Sequence, residues 1–329
     1  MKILILRFSS IGDIVLTSPI VRCIKNQIPD SILHYATKEI YASIVQCNPH
    51  IDKVHLLGNN LYELINDLRQ ERFDIIIDLH KNLRTLRVKR SLGIKSFTFK
   101  KLNLKKWLFV NFKKNNLPNI HIVDRYFDAV QKLNVINDLQ GIDFNIPSAE
   151  EINVLEKFKI SNYIAVALGA QYQTKCLPKN KLIEVLSQLK QPIILLGGSM
   201  DIELGTALTK ELLSQKVINL AGKLSIAQSA SIIKQANVLL THDTGLMHIA
   251  SAFDTPIVTV WGNTVPEFGM YAYRPELKEN IHNHQVKNLK CRPCSKIGFN
   301  DCPKIHFNCM QNQNSQEIIG SLKNYLQSK

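Results

Sequence analysis

Acidic side chains are scarce in this chain: 27 Asp and Glu stand against 41 Lys and Arg, a formal net charge of +14 with an isoelectric point near 9.4. That imbalance points to a polyanionic partner, whether nucleic acid, an anionic membrane face or a phosphorylated substrate. Long apolar runs are also missing, which excludes a bilayer-spanning helix. The first run ends at Arg7, too soon for a signal peptide, so the expected setting is cytoplasmic. The seven cysteines are then expected to be reduced, catalytic or metal-bound rather than paired in disulfides. Solenoid repeats and low-complexity tracts are absent too. Glycine is sparse, and no segment carries the three spaced glycines of a dinucleotide loop, which counts against a nicotinamide dehydrogenase.

What is present is a repeating alternation. The apolar run "KILILRF" is followed by "DIVLTSPIVRCIKNQ" at helical spacing, and "ILHYAT", "KVHLL" and "FDIIIDL" renew the strand signal between helix-length connections. After Pro147 the pattern starts again, with "YIAVALG", "PIILLGG", "KVINLAG", "VLLTHD" and "PIVTVWG". Such alternation predicts two doubly wound parallel-sheet α/β domains, 1–147 and 148–329, meeting across a cleft lined by strand-end loops. The amphipathic tail predicts a final helix over 315–328 that can cross back to the first domain.

Two loops carry the chemistry. In "RFSSIGDIVLTSP" a single glycine precedes Asp13, which reads either as a helix-terminal carboxylate favoured by the helix dipole or as a catalytic base whose competence depends on geometry. In "VLLTHDTGLMHIASAFDTPIVTVWGNTVP" a strand ends at Asp243, and Thr244 and Gly245 open a helix whose free N–H groups suit an anion. Thr244 and His248 share one helix face. "DTG" occurs once, and its parallel α/β context excludes an aspartic protease. Between Lys81 and Lys114 there are twelve Lys or Arg and no Asp or Glu, interleaved with five aromatic residues. A solvated face would mix signs, so this segment reads as an anion-facing surface.

Together, "FSSIGDIVLTSPIVRCIK" and "THDTGLMHIASAFDTPIVTVWGNTVP" resemble glycosyltransferase family 9, the ADP-heptose:lipopolysaccharide heptosyltransferases. The resemblance implies the GT-B fold, two Rossmann-like domains facing a cleft: an acceptor-binding first domain and a nucleotide-sugar-binding second one. It implies inverting, metal-independent transfer of a heptose from ADP-heptose to the lipopolysaccharide inner core, with Asp13 as general base. Lys175 of "QTKCLP" matches the family lysine that meets donor phosphates, beside Thr174; the family's tryptophan is replaced by Leu177. Asp243, Thr244, Gly245 and His248 match the block holding pyrophosphate and donor sugar, and Glu203 of "LLGGSMDIE" matches the ribose-binding position. The family setting is peripheral, on the inner face of the inner membrane, for a monomer that contacts an anionic lipid-linked acceptor. His80, Lys81 and Arg84, after "FDIIIDL", are candidate acceptor contacts.

Cys291, Cys294, Cys302 and Cys309 follow a C-x-x-C-plus-two pattern that suits a structural zinc site, or else a loop packed by reduced thiols. No cofactor is needed for the implied catalysis. The competing readings are a related transferase using another nucleotide sugar, and a non-enzymatic nucleic-acid-binding protein. The latter explains the charge but leaves Asp13, Lys175 and the Asp243 block idle.

Overall fold

Five apolar segments of the first half, Lys2–Leu6 (β1), Ile32–Lys38 (β2), Lys53–Leu57 (β3), Ile75–Asp78 (β4) and Ser96–Thr98 (β5), form one parallel sheet in the order β3-β2-β1-β4-β5. They are seen in a computed structural model that describes residues 1–326. Ile3 to Leu6 are fully buried, because helices cover both faces of a central parallel strand. The helix Leu61–Gln70 places Leu61, Leu64, Ile65 and Leu68 on the face that meets Leu4, Leu6 and Ile76, and Asn60 caps it by accepting from the Tyr62 amide.

Six strands of the second half form another parallel sheet: Ile164–Ala167 (β6), Ile193–Leu196 (β7), Val217–Asn219 (β8), Val238–His242 (β9), Ile257–Trp261 (β10) and Ile281–Gln285 (β11). Their order, β11-β10-β9-β6-β7-β8, is the doubly wound dinucleotide-binding order. In each sheet the winding reverses at one point, between β1 and β4 in the first and between β6 and β9 in the second. Ligands of open α/β sheets sit beyond the strand carboxyl ends at such points. The loops that begin at Arg7, Leu79, Leu168 and Asp243 all start there.

The chain divides into one unit of residues 1–102 with 120–145, and another of 103–119 with everything from 146 onward. This departs from a division into 1–147 and 148–329, because a segment of the first half packs with the second. The cause lies in the helix Asn103–Phe112. Phe109 meets Phe268 edge-on with ring centroids 5.9 Å apart, the Lys106 ammonium lies 5.2 Å from the same ring, and Lys113 Nζ donates to the Pro293 carbonyl at 2.6 Å. Segment 120–145 belongs to the first unit, where buried Arg22 holds Asp138 through two 2.8 Å hydrogen bonds and also pairs with Asp143.

The final helix spans Ser315–Lys323 and buries Ile318, Ile319 and Leu322 against Leu182, Val185 and Leu186. It therefore packs within the second unit instead of crossing back, since its apolar stripe is used up by the helix Lys179–Leu186. The end of its expected span, 327 and 328, lies outside the described residues. No helix among the described residues is long and apolar enough to cross a membrane.

Candidate active site

In the first unit, β1 runs into a loop pinned by Arg7. This guanidinium is nearly buried; it donates to the carbonyls of Ser9 at 2.8 Å and Leu79 at 2.5 Å, and reaches Asp13 Oδ1 at 2.7 Å. Burial opposes its charge, and the Asp13 carboxylate, Tyr126 and Tyr35 together offset that and hold Arg7 above the usual arginine range. Asp13 Oδ2 accepts from the Ser10 hydroxyl at 3.0 Å and the Ser10 amide at 3.3 Å. Asp13 is thus the third residue of the helix Ile11–Val15, folded back on its N-cap Ser10. Its side chain keeps 26% exposure, and Arg7 and Ser10 fix the carboxylate's orientation.

β4 pairs with β1 so that Leu6 faces Asp78, which puts the next loop beside Asp13. Asp78 is fully buried; it accepts from the His80 amide at 3.0 Å and the Lys81 amide at 2.7 Å, and pairs with Lys89 at 2.7 Å. His80 Nδ1 accepts from the Phe8 amide at 3.1 Å, and burial, helped by Arg7 and Lys101, pushes the ring down to about 4. His80 is therefore neutral near pH 7. Lys81 stands exposed in the same loop, and Arg84 stands exposed on the first turn of the helix Leu83–Leu92 that follows it.

In the second unit, the segment after β6 turns through Gln173–Lys175. Thr174 is buried, and its hydroxyl donates to the Phe299 carbonyl at 2.9 Å while accepting from the Phe299 amide at 2.8 Å. That hydroxyl is spent on fixing the loop, which marks Thr174 as a residue that positions Lys175. The Leu177 amide donates to His242 Nε2 at 2.9 Å, a bond that requires the neutral ring; burial pushes His242 down to about 4. Lys175 Nζ then meets Asp243 Oδ2 at 2.7 Å, and Thr264 Oγ1 donates to the same oxygen at 2.9 Å. Burial would raise the Asp243 carboxyl, but the charge and hydrogen bond of Lys175 hold it below the usual range. Thr244 caps the helix Gly245–Ala250 by accepting from the Leu246 amide at 3.0 Å, and His248 is buried one turn on.

A cavity of about 590 Å³ opens beside this loop, lined by Gln173, Thr174, Leu177, Met200, Asp201 and Leu204, among others. Asp201, which sequence reasoning passed over, accepts from the Gly198 amide at 2.8 Å and lies against bare backbone: a Cβ on Gly169 would meet it at 2.2 Å and one on Gly197 at 2.6 Å. The signal was present in "GGSMD", a glycine N-cap with an acid three residues on. Glu203 stands exposed on the first turn of the helix Ile202–Glu211 and does not line the cavity.

The four cysteines of the C-x-x-C-plus-two pattern lie in one neighbourhood: burial raises the Cys294 thiol, with Cys291 and Cys302 adding to it, and burial pushes Cys309, in the apolar core of the second unit, up to about 12, with Cys294, Cys302 and Cys291 nearby. Cys291 Sγ lies 3.9 Å from His306 Nε2. Among the described residues, the three ligand atoms that converge within 4.8 Å belong to His34, His55 and Glu71. Those groups already satisfy one another: His34 Nδ1 and His55 Nε2 are 2.9 Å apart, His55 pairs with Asp67, and Lys2 and Lys53 each hold a Glu71 oxygen at 2.5 Å.

Burial, with His55 adding to it, pushes His34 down to about 4 as well. Three histidines thus fold neutral while the unfolded chain takes up their protons below about pH 6.5. Stability from these groups is complete above that pH and drains as pH falls from about 6.5 to about 4. Urea midpoints measured from pH 7.5 to 4 are expected to fall steadily through this window. A flat series would mean that the rings protonate without cost in the fold.

Two parallel-sheet α/β units, each with polar loops at its strand reversal, are the architecture of the GT-B fold. The sequence model of glycosyltransferase family 9 (heptosyltransferase) matches residues 61–299, and the chain belongs to that family. It is 26% identical over 317 residues to lipopolysaccharide heptosyltransferase 1 of Campylobacter coli, covering 86% of this chain and 88% of that one. Among solved structures, E. coli ADP-heptose lps heptosyltransferase II superposes with a TM-score of 0.75 at 19% identity, covering 99% of both chains. An E. coli heptosyltransferase with ADP superposes at 0.68 and 18% identity, covering 99% of this chain and 100% of that one.

Proposed function

We propose that this enzyme transfers a heptose from ADP-heptose to the inner core of lipopolysaccharide, with inversion at the anomeric carbon, at the inner face of the inner membrane. The observation that carries the reading is the Lys175–Asp243–Thr244 cluster at the strand reversal of the second sheet, beside a cavity of about 590 Å³. Asp13 takes the proton of the acceptor hydroxyl as its oxygen attacks the anomeric carbon. The bond from that carbon to the diphosphate breaks, and ADP leaves with its electron pair. Lys175 and the amides at the Gly245 helix start receive the charge that grows on the leaving diphosphate, so no step calls on a metal ion. His80, Lys81 and Arg84 take the anionic acceptor, His248 the donor sugar, and Asp201 or Glu203 the donor's hydroxyls.

Thermal unfolding with a panel of nucleotide sugars tests this reading. A ligand at about 100 times its Kd adds about 2.7 kcal/mol, so ADP and ADP-heptose are expected to raise the Tm while UDP and GDP sugars leave it in place. A response to UDP-sugars alone would favour the related transferase with another donor. No response to any, together with salt-labile binding of any nucleic acid sequence, would leave only incidental charge.

A further inference from the structure

The helix Asn103–Phe112 buries none of its ten residues, although six of them are apolar. At about 100° per residue, Lys106, Phe109 and Lys113 fall on one side, and these are the residues that grip Phe268 and the Pro293 carbonyl. Leu104, Trp107 and Leu108 fall on the other. Leu104 is 70% exposed and Trp107 47%; Phe112, 59% exposed, extends the patch by an edge contact with Trp107 at 5.5 Å. The helix is therefore docked by its cationic side and turns its apolar side outward, the reverse of an ordinary surface helix.

From this arrangement we infer that the outward face of Asn103–Phe112 lies in the headgroup region of an anionic bilayer, with Leu104, Trp107 and Phe112 inserted among the acyl chains. The inference rests on the lipid-borne acceptor proposed above. Charge selects this occupant: exposed Lys100, Lys105 and Lys114 flank the patch, and residues 100–119 contain no Asp or Glu. Two copies of the face would oppose those lysines to one another, whereas anionic headgroups neutralise them. At ten residues the helix is about 15 Å long, half of what spanning requires, so it can only lie in the interface plane. Tryptophan suits that depth, with an apolar body and a polar N–H. Lys101 and Lys106 are not part of the charge rim, because Lys101 donates to the His80 carbonyl and Lys106 covers Phe268.

The chain supplies its own reporter. Of its two tryptophans, Trp261 is fully buried and donates to Asn283, so an environmental shift in emission belongs to Trp107. The full-length protein is mixed with vesicles of phosphatidylglycerol in phosphatidylcholine, with and without brominated acyl chains. The expected result is a blue shift and quenching by bromine, and a partition coefficient that falls by about tenfold or more in Leu104→Ser/Trp107→Ser while Trp107→Phe retains most of it. ADP affinity is expected to be equal in all three. Vesicle binding with unshifted Trp107 emission would overturn the inference and leave a purely electrostatic membrane contact. A concentration-dependent dimer abolished by the double substitution would overturn it in favour of a second copy. Failure of ADP to bind, with Trp107 still inserting, would instead remove the ADP-heptose donor proposed above and leave the membrane contact standing.

Discussion

Asp13→Asn is expected to lower turnover by about two orders of magnitude or more while the fold and ADP affinity stay as in the parent. The amide keeps the shape and one acceptor oxygen for the Ser10 amide and hydroxyl, so the helix start persists; what it loses is the ion pair with Arg7 and the capacity to accept a proton. The Arg7 pair at 2.7 Å holds the carboxylate in place, so the base is positioned before the acceptor arrives. Replacing Arg7 by Lys is therefore a useful companion, since an ammonium cannot reproduce hydrogen bonds to Ser9, Leu79 and Asp13 together. Parent-level turnover in purified Asp13→Asn would reduce Asp13 to a helix-terminal residue.

Lys175→Ala is expected to act on both stability and donor binding. Asp243 is nearly buried, and without the ammonium its carboxylate is left with the Thr264 hydroxyl at 2.9 Å and no ion pair with Lys175. Leaving a buried charge unpaired costs about 3–5 kcal/mol, so the Tm should drop visibly. Adding Asp243→Asn removes the orphaned charge and should restore most of the Tm. ADP affinity should stay low in the double variant, because the cation offered to the diphosphate is still missing. Calorimetric titration of both variants with ADP separates the two effects. Unchanged affinity in both would sink the phosphate assignment, and an unchanged Tm in the single variant would mean that the pair is not a structural element.

The central strands were legible because they are mostly apolar runs, which a sheet covered on both faces produces, whereas the edge strands β5, SFT, and β11, IHNHQ, carry no such run and were not read. Asp13 and the Asp243 block were legible because both sit where a strand hands over to a helix, and such places can be read in order along the chain. Sheet order cannot. Lys175 and Asp243 are 68 residues apart and touch because β6 and β9 are neighbours at the strand reversal. Asp201 was hidden for a similar reason, since its seat depends on the bare backbone of Gly169, more than thirty residues earlier. The cysteine spacing pointed to one neighbourhood, and what it could not show is that Cys309 enters it from the apolar core while Cys291 stands toward His306. For the helix Asn103–Phe112, periodicity reveals two faces without saying which is inward, and here the cations hold the inward one.

That same helix bears on how chains of this family are recombined. Because residues 103–119 pack with the later unit, the polypeptide passes from one unit to the other at 102/103, 119/120 and 145/146. A chimera joined only near residue 146 would bring a foreign Phe109 and Lys113 to the seat made by Phe268 and Pro293. Its donor half would then be mismatched even though every residue after the junction is native. Exchanging 103–119 together with 146 onward keeps that seat intact, so donor specificity should transplant as a two-piece graft and fail as a one-piece one.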